Sequence, residues 1–97
     1  MILKRCKEIN LEFEFDENKS RSNAMKHGIN FYEARRLWDD PNYITFPLPY
    51  VEEERHAVIA KLDSKIWTAI VTYRGSSIRI ISVRRARKNE REVYEKN

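Results

Sequence analysis

The sequence predicts an α+β domain, an antiparallel sheet with two helices ahead of its main strands and one helix after them. Three observations predict it. Two segments before residue 40 carry helix start and stop signals. Three stretches between residues 54 and 84 are rich in β-branched and aromatic residues and are joined by short turns. A charged segment ending in Val93-Tyr94 closes the chain. With 97 residues, one domain spanning 1–97 is expected, large enough to bury a core without staples.

The elements follow in order. Ile9-Asn10-Leu11-Glu12-Phe13-Glu14-Phe15 alternates apolar and polar, the signature of a short strand. Asp16 offers an N-cap for a polar helix over Glu17 to His27. Gly28 follows where a left-handed C′ residue belongs. Asn30 to Glu33 has capping-box form, with Ile29 and Ala34 at the staple positions. Phe31, Ala34, Leu37 and Trp38 then share one helical face, and Asp39-Asp40-Pro41 ends the helix. Asn42–Phe46 adds a strand candidate. The main strands are expected at Glu54–Lys61, Ile66–Tyr73 and Ser77–Arg84, with Asp63-Ser64-Lys65 and Arg74-Gly75-Ser76 as hairpin turns. A C-terminal helix lies beyond Ala86. The outline is β-α-α-β-β-β-α, with the helices packed on one face.

Composition excludes several classes. One cysteine, Cys6, allows no intrachain disulfide, and with two histidines it leaves no structural zinc set. No apolar run approaches the ~20 residues of a membrane span, and no signal-like segment opens the chain. The cytoplasm is the expected compartment, without membrane attachment. No phosphate-binding glycine loop and no Ser/His/Asp motif appears, so no cofactor and no metal is expected.

Charge is distributed unevenly. Residues 1–54 hold 8 Lys and Arg against 11 Asp and Glu, whereas residues 55–97 hold 11 against 4. Such a basic half is either a solvated face or an anion-binding surface, with polyphosphate the commonest partner. Within it, Tyr73 to Arg85 packs arginines into a strand that also buries isoleucines. Strict alternation gives Ile78, Ile80, Ser82 and Arg84 one face, and Arg79, Ile81, Val83 and Arg85 the other. Mid-strand Arg79 either meets phosphate with its planar fork or pairs with a carboxylate such as Glu54. Glu54-Arg55-His56 sets three chemically useful groups side by side, but alternation sends Glu54 and His56 one way and Arg55 the other. His56 reads as a half-exposed strand residue. His27 ends the first helix, where the dipole favours positive charge; it is an acid, a phosphate contact or a cap, and Lys26 stands beside it.

Four blocks together resemble the BrnT family of bacterial type II toxins. They are Phe13 to Lys19 with Asn23, Lys26-His27-Gly28-Ile29, Phe31 and Ala34; Asp39 with Pro41; Glu53-Glu54-Arg55; and Thr72, Arg74-Gly75, Arg79-Ile80-Ile81-Ser82, Arg84, Ala86, Glu90-Arg91 and Tyr94. Residues 1–12 lie outside the resemblance. Phe15 replaces the usual Trp, Tyr73 stands where an acid is frequent, and the glycines flanking the middle hairpin are missing. The resemblance implies a RelE-like fold and a ribonuclease that arrests translation. It also implies a BrnA-like ribbon-helix-helix antitoxin as partner, with operator DNA met only through the antitoxin complex.

The expected activity is metal-independent RNA cleavage. The expected phosphate contacts are Arg55, Arg74, Arg79 and Arg84, with Lys26 and Arg85 nearby. Glu54 or His27 is the expected base, and His27 or Tyr73 the acid. The alternative is a basic module that binds RNA or the antitoxin without cutting, as a degenerate toxin would.

Overall fold

The computed structural model describes residues 2–6, 9–49 and 54–96, with side chains from Leu11 onward. The chain runs β1 (Ile2–Cys6), β2 (Ile9–Glu14), α1 (Glu17–His27), α2 (Phe31–Ala34), a 3₁₀ turn over Arg35–Asp39, β3 (Ile44–Leu48), β4 (Arg55–Leu62), β5 (Lys65–Arg74), β6 (Ser77–Arg85) and α3 (Lys88–Lys96). The six strands form one sheet in the order β1-β2-β6-β5-β4-β3.

Local chemistry sets the first half. Asp16 Oδ1 accepts from the Asn18 and Lys19 amides and starts α1. Gly28 ends it at φ 78°, a left-handed value that costs glycine little. The Asn30–Glu33 capping box is complete, and the Ser20 hydroxyl accepts from the Phe31 amide at 2.9 Å. Phe31, Ala34, Leu37 and Trp38 are all buried. They pack with Phe13, Val58, Ala60, Trp67, Ala69, Val71, Ile78, Ile80 and Val83. Phe13 meets Trp38 edge to face at 5.0 Å, the geometry that aromatic quadrupoles favour.

Three features correct the expected architecture. The sheet is mixed, because β2 pairs with β6 in parallel while the other neighbours run antiparallel. A parallel neighbour needs a long crossover, and the segment from α1 to β5 supplies it. The helices occupy both faces. α1 and α2 cover the face of Val58 and Ala60, while Tyr94 of α3 packs with Ile59, Ile66 and Ala86 on the reverse. The continuous apolar run Ala57-Val58-Ile59-Ala60 is buried throughout, the pattern of a strand covered on both sides. Finally, β1, where no element was expected, forms a hairpin with the expected strand β2.

Asp40 ties α3 to the body. Its carboxylate accepts from the Tyr94 hydroxyl at 2.6 Å, the Lys61 amide at 2.8 Å and the Asn42 amide at 2.8 Å. Burial alone would raise this carboxyl, but those bonds hold it below the usual range. Burial and the same carboxylate push the Tyr94 hydroxyl up to about 12.

Candidate nucleic-acid interface

The cationic face depends on one irregularity. Along β5 and β6, Thr72 pairs with Arg79 and Val71 with Ile80, yet Ile70 pairs with Ser82, so Ile81 has no partner in the ladder. This is a β-bulge, two residues opposing one. It overturns the strict alternation expected for the strand. Ile78 and Ile80 face α1 and α2, and beyond the bulge Val83 joins them in the same cluster. Arg79, Ser82 and Arg84 therefore share the opposite face. Arg55 joins them, since its neighbour His56 registers with the inward Val71.

The free edge of β6 accounts for another residue of the first block. Strand β2 covers β6 only at Ser77, Ile78 and Arg79. Beyond that point the carboxamide of Asn23 takes over. Its Nδ2 donates to the Val83 carbonyl at 2.8 Å and to the Ile29 carbonyl at 2.9 Å, and its Oδ1 accepts from the Val83 amide at 3.1 Å. A side chain thus completes the ladder and joins α1 to the sheet.

The arginines differ in their surroundings. Arg79 is half-exposed and lies 3.6 Å from the Glu14 carboxylate, which β2 presents in register with it. Glu54 was the sequence-based candidate for this partnership. Glu14 takes the place because a parallel pairing between residues this far apart leaves no local signature. Arg84 forms a fork with Glu90, Nη1 to Oε1 at 2.8 Å and Nη2 to Oε2 at 2.9 Å. The Thr68 hydroxyl and the Arg87 amide also donate to Glu90. The Arg84 guanidinium, against the opposing effect of burial, holds the Glu90 carboxyl down at about 2.

That depression has a direction in pH. A carboxylate whose folded value is depressed stabilises the fold above its unfolded value and loses that contribution as pH falls through the folded one. Glu90→Gln is expected to lower stability at pH 7 by about 1–2 kcal/mol, discounted for partial exposure. The gap between wild type and variant is fully present above about pH 5 and closes toward pH 2. Urea melts across that range measure it, and a gap that does not change with pH refutes it.

The remaining candidates fall into two other groups. Tyr73 points with Val71 toward the helix-covered side, where its ring meets His56 edge to face at 4.8 Å. His56 Nε2 lies 3.9 Å from the exposed Glu54 carboxylate, and its buried Nδ1 has no hydrogen-bond partner among the described residues. Glu53 lies outside the described residues. Arg74 is exposed at the β5–β6 turn, where Gly75 adopts φ 58°. His27 and Lys26 line a recess with Lys19, Ser22, Asn23, Ile81 and Ser82, so they flank the bulge at the β6 edge. Arg85 leaves the cationic face and stacks over the Trp67 ring at 5.6 Å. The sheet therefore separates Tyr73 and His56 from Arg55 and Arg79, although both groups lie toward the same end of the strands.

Fold and face together define a class, small α+β proteins that present arginines and a carboxylate on an open sheet surface. The family profile described as ribonuclease toxin, BrnT, of type II toxin-antitoxin system matches residues 15–90. The chain belongs to that family. No curated protein matches it. No helix among the described residues is long and apolar enough to cross a membrane.

Proposed function

We propose that the chain cleaves RNA without a metal ion, at the face that carries Arg55 and Arg79, and that an antitoxin silences it there. The observation that carries the reading is the shared face of these arginines with Glu14 at 3.6 Å from Arg79. A planar guanidinium binds two oxygens of a phosphate at once, and its fixed charge favours the dianionic phosphorane over the monoanionic ground state. In this scheme a carboxylate takes the ribose 2′-proton and the 2′-oxygen attacks phosphorus. The bond to the 5′-oxygen breaks, and an acid returns a proton to that oxygen. The products are a 2′,3′-cyclic phosphate and a 5′-hydroxyl.

Glu14, 3.6 Å from Arg79, is the first candidate base, with Glu54 and His27 as the other candidates. His27 is the candidate acid, with Lys26 and Arg74 as outer phosphate contacts, whereas Tyr73 and Arg85 lie across the sheet from Arg55 and Arg79. Arg84 acts through α3, because Glu90 already occupies its fork. Among the described residues no three His, Cys, Asp or Glu side chains gather as a metal set. In keeping with the family, we assign a RelE-like arrangement, a cytoplasmic setting and a BrnA-like ribbon-helix-helix antitoxin that carries the operator contacts.

The test is incubation of the antitoxin-free protein with RNA in excess EDTA. Fragments ending in 2′,3′-cyclic phosphate are expected. RNA that stays intact at high protein concentration refutes catalysis, and tight binding without cleavage favours the non-catalytic module.

A further inference from the structure

The cationic face also has an apolar floor. Strand register places Phe46 beside Ala57 and Ala57 beside Ile70, and Ile70 pairs in turn with Ser82. On one side of this row lies the row of Ile44, Ile59, Thr68 and Arg84, and α3 covers it through Tyr94 and Glu90. On the other side lie Arg55, two residues along β4 from Ala57, and Arg79. Among the described residues, the row between them lies outside the cluster that α3 covers. Ala57 is recessed at 3% exposure, while Phe46 stands proud at 38%. None of the ring pairs among the described residues includes Phe46.

A polar face would suit phosphate alone, and an apolar face would suit a protein. Here a flat ring stands beside a notch, about 7 Å along the strand from a guanidinium row. That is the span from a ribonucleotide's phosphate to its own base. Stacking on an aromatic ring beside a basic track is how proteins hold single-stranded nucleic acid, because every base has a π-face. Bases inside a duplex cannot reach such a ring, whereas unpaired ones can be splayed onto it.

We propose that Phe46 is a base-stacking platform for unpaired RNA, with one nucleobase lying on its ring above Ala57 and against Ile70 while the adjoining phosphate lies toward Arg55 and the strand runs on across the sheet toward Arg79. The proposal rests on the ribonuclease reading of the same face and deepens it. The substrate class is single-stranded RNA, and Phe46 selects for it by positioning rather than by chemistry.

The test uses the full chain and a 2′-O-methyl oligoribonucleotide, which lacks the 2′-hydroxyl needed for cleavage, with 2-aminopurine placed at successive positions. Stacking quenches that base. Wild type and Phe46→Tyr are expected to quench one position strongly. Phe46→Ala is expected to lose the quench, weaken binding roughly tenfold, and raise KM more than it lowers kcat on the matching cleavable RNA. Phe46→Leu keeps an apolar side chain at the edge strand and is expected to lose the quench as well, which covers the case of an unfolded alanine variant. If both variants quench and bind like wild type while Arg79→Ala loses RNA, the stacking proposal is overturned and the ribonuclease reading stands. If both keep the quench but escape the antitoxin, the ring belongs to a protein interface, and the proposal is again overturned. A wild-type chain that neither binds nor cuts RNA overturns the ribonuclease reading and the platform with it.

Discussion

Arg79→Ala is expected to lower kcat/KM for RNA cleavage by roughly two to three orders of magnitude, the usual effect of removing one fixed donor from a developing oxyanion. The fold is expected to survive. Arg79 is half-exposed and its ion pair with Glu14 is long, at 3.6 Å, so its loss costs at most about 1 kcal/mol of stability. Arg79→Lys keeps the charge but not the planar fork and is expected to fall between wild type and alanine. Cleavage kinetics and thermal melts on the same samples separate the two effects. Unchanged cleavage in a folded Arg79→Ala variant would remove Arg79 from the site. Joint loss of cleavage, antitoxin binding and thermal stability would make it a structural residue.

Asn23→Ala is expected to have the largest effect on stability, a loss of about 3–4 kcal/mol in urea unfolding. The variant removes three buried hydrogen bonds at once and leaves the Val83 amide and two carbonyls without a partner. Each buried group left unsatisfied costs about 1–3 kcal/mol, against a typical total stability of about 5–15 kcal/mol. Asn23→Asp is expected to retain part of the loss, since a carboxylate can accept from Val83 but cannot donate to either carbonyl. Met25, on the same helix and 88% exposed, provides the control. An Asn23→Ala variant within 1 kcal/mol of wild type would show that water or β2 closes that edge instead.

Asn23 also shows what could and could not be read in advance. The chain announces features made by neighbours in sequence. Asp16, Gly28 and the Asn30–Glu33 box fixed both ends of α1 and the start of α2. The four apolar positions from Phe31 to Trp38 named their buried face. Features made by distant partners left no such mark. The bulge at Ile81 exists only relative to β5, and the run Arg79 to Arg85 reads as plain alternation without it. The pairing of Glu14 with Arg79 depends on a parallel contact three residues long. The reverse-face position of α3 was hinted at only by the unbroken apolar run in β4. Within the candidate site, the residue types were legible, but their division between two faces was not. Phe46 carries no signal in the sequence, because an exposed aromatic on an edge strand acquires meaning only beside the arginine that β4 brings to it.

The unpartnered Ile81 makes β6 one residue longer than the ladder it fills. A substitution at that position changes one side chain. Deleting Ile81 would remove the bulge and restore plain alternation, leaving Ile80 and Val83 inward and Arg79, Ser82 and Arg84 outward. Val83 would stay beside Ala69 and Arg84 beside Thr68, and the bonds to Asn23 and Glu90 would be kept. The bulge is therefore the place where β6 can lose a residue without turning its arginines, and the cationic surface is tied to the register on either side of it.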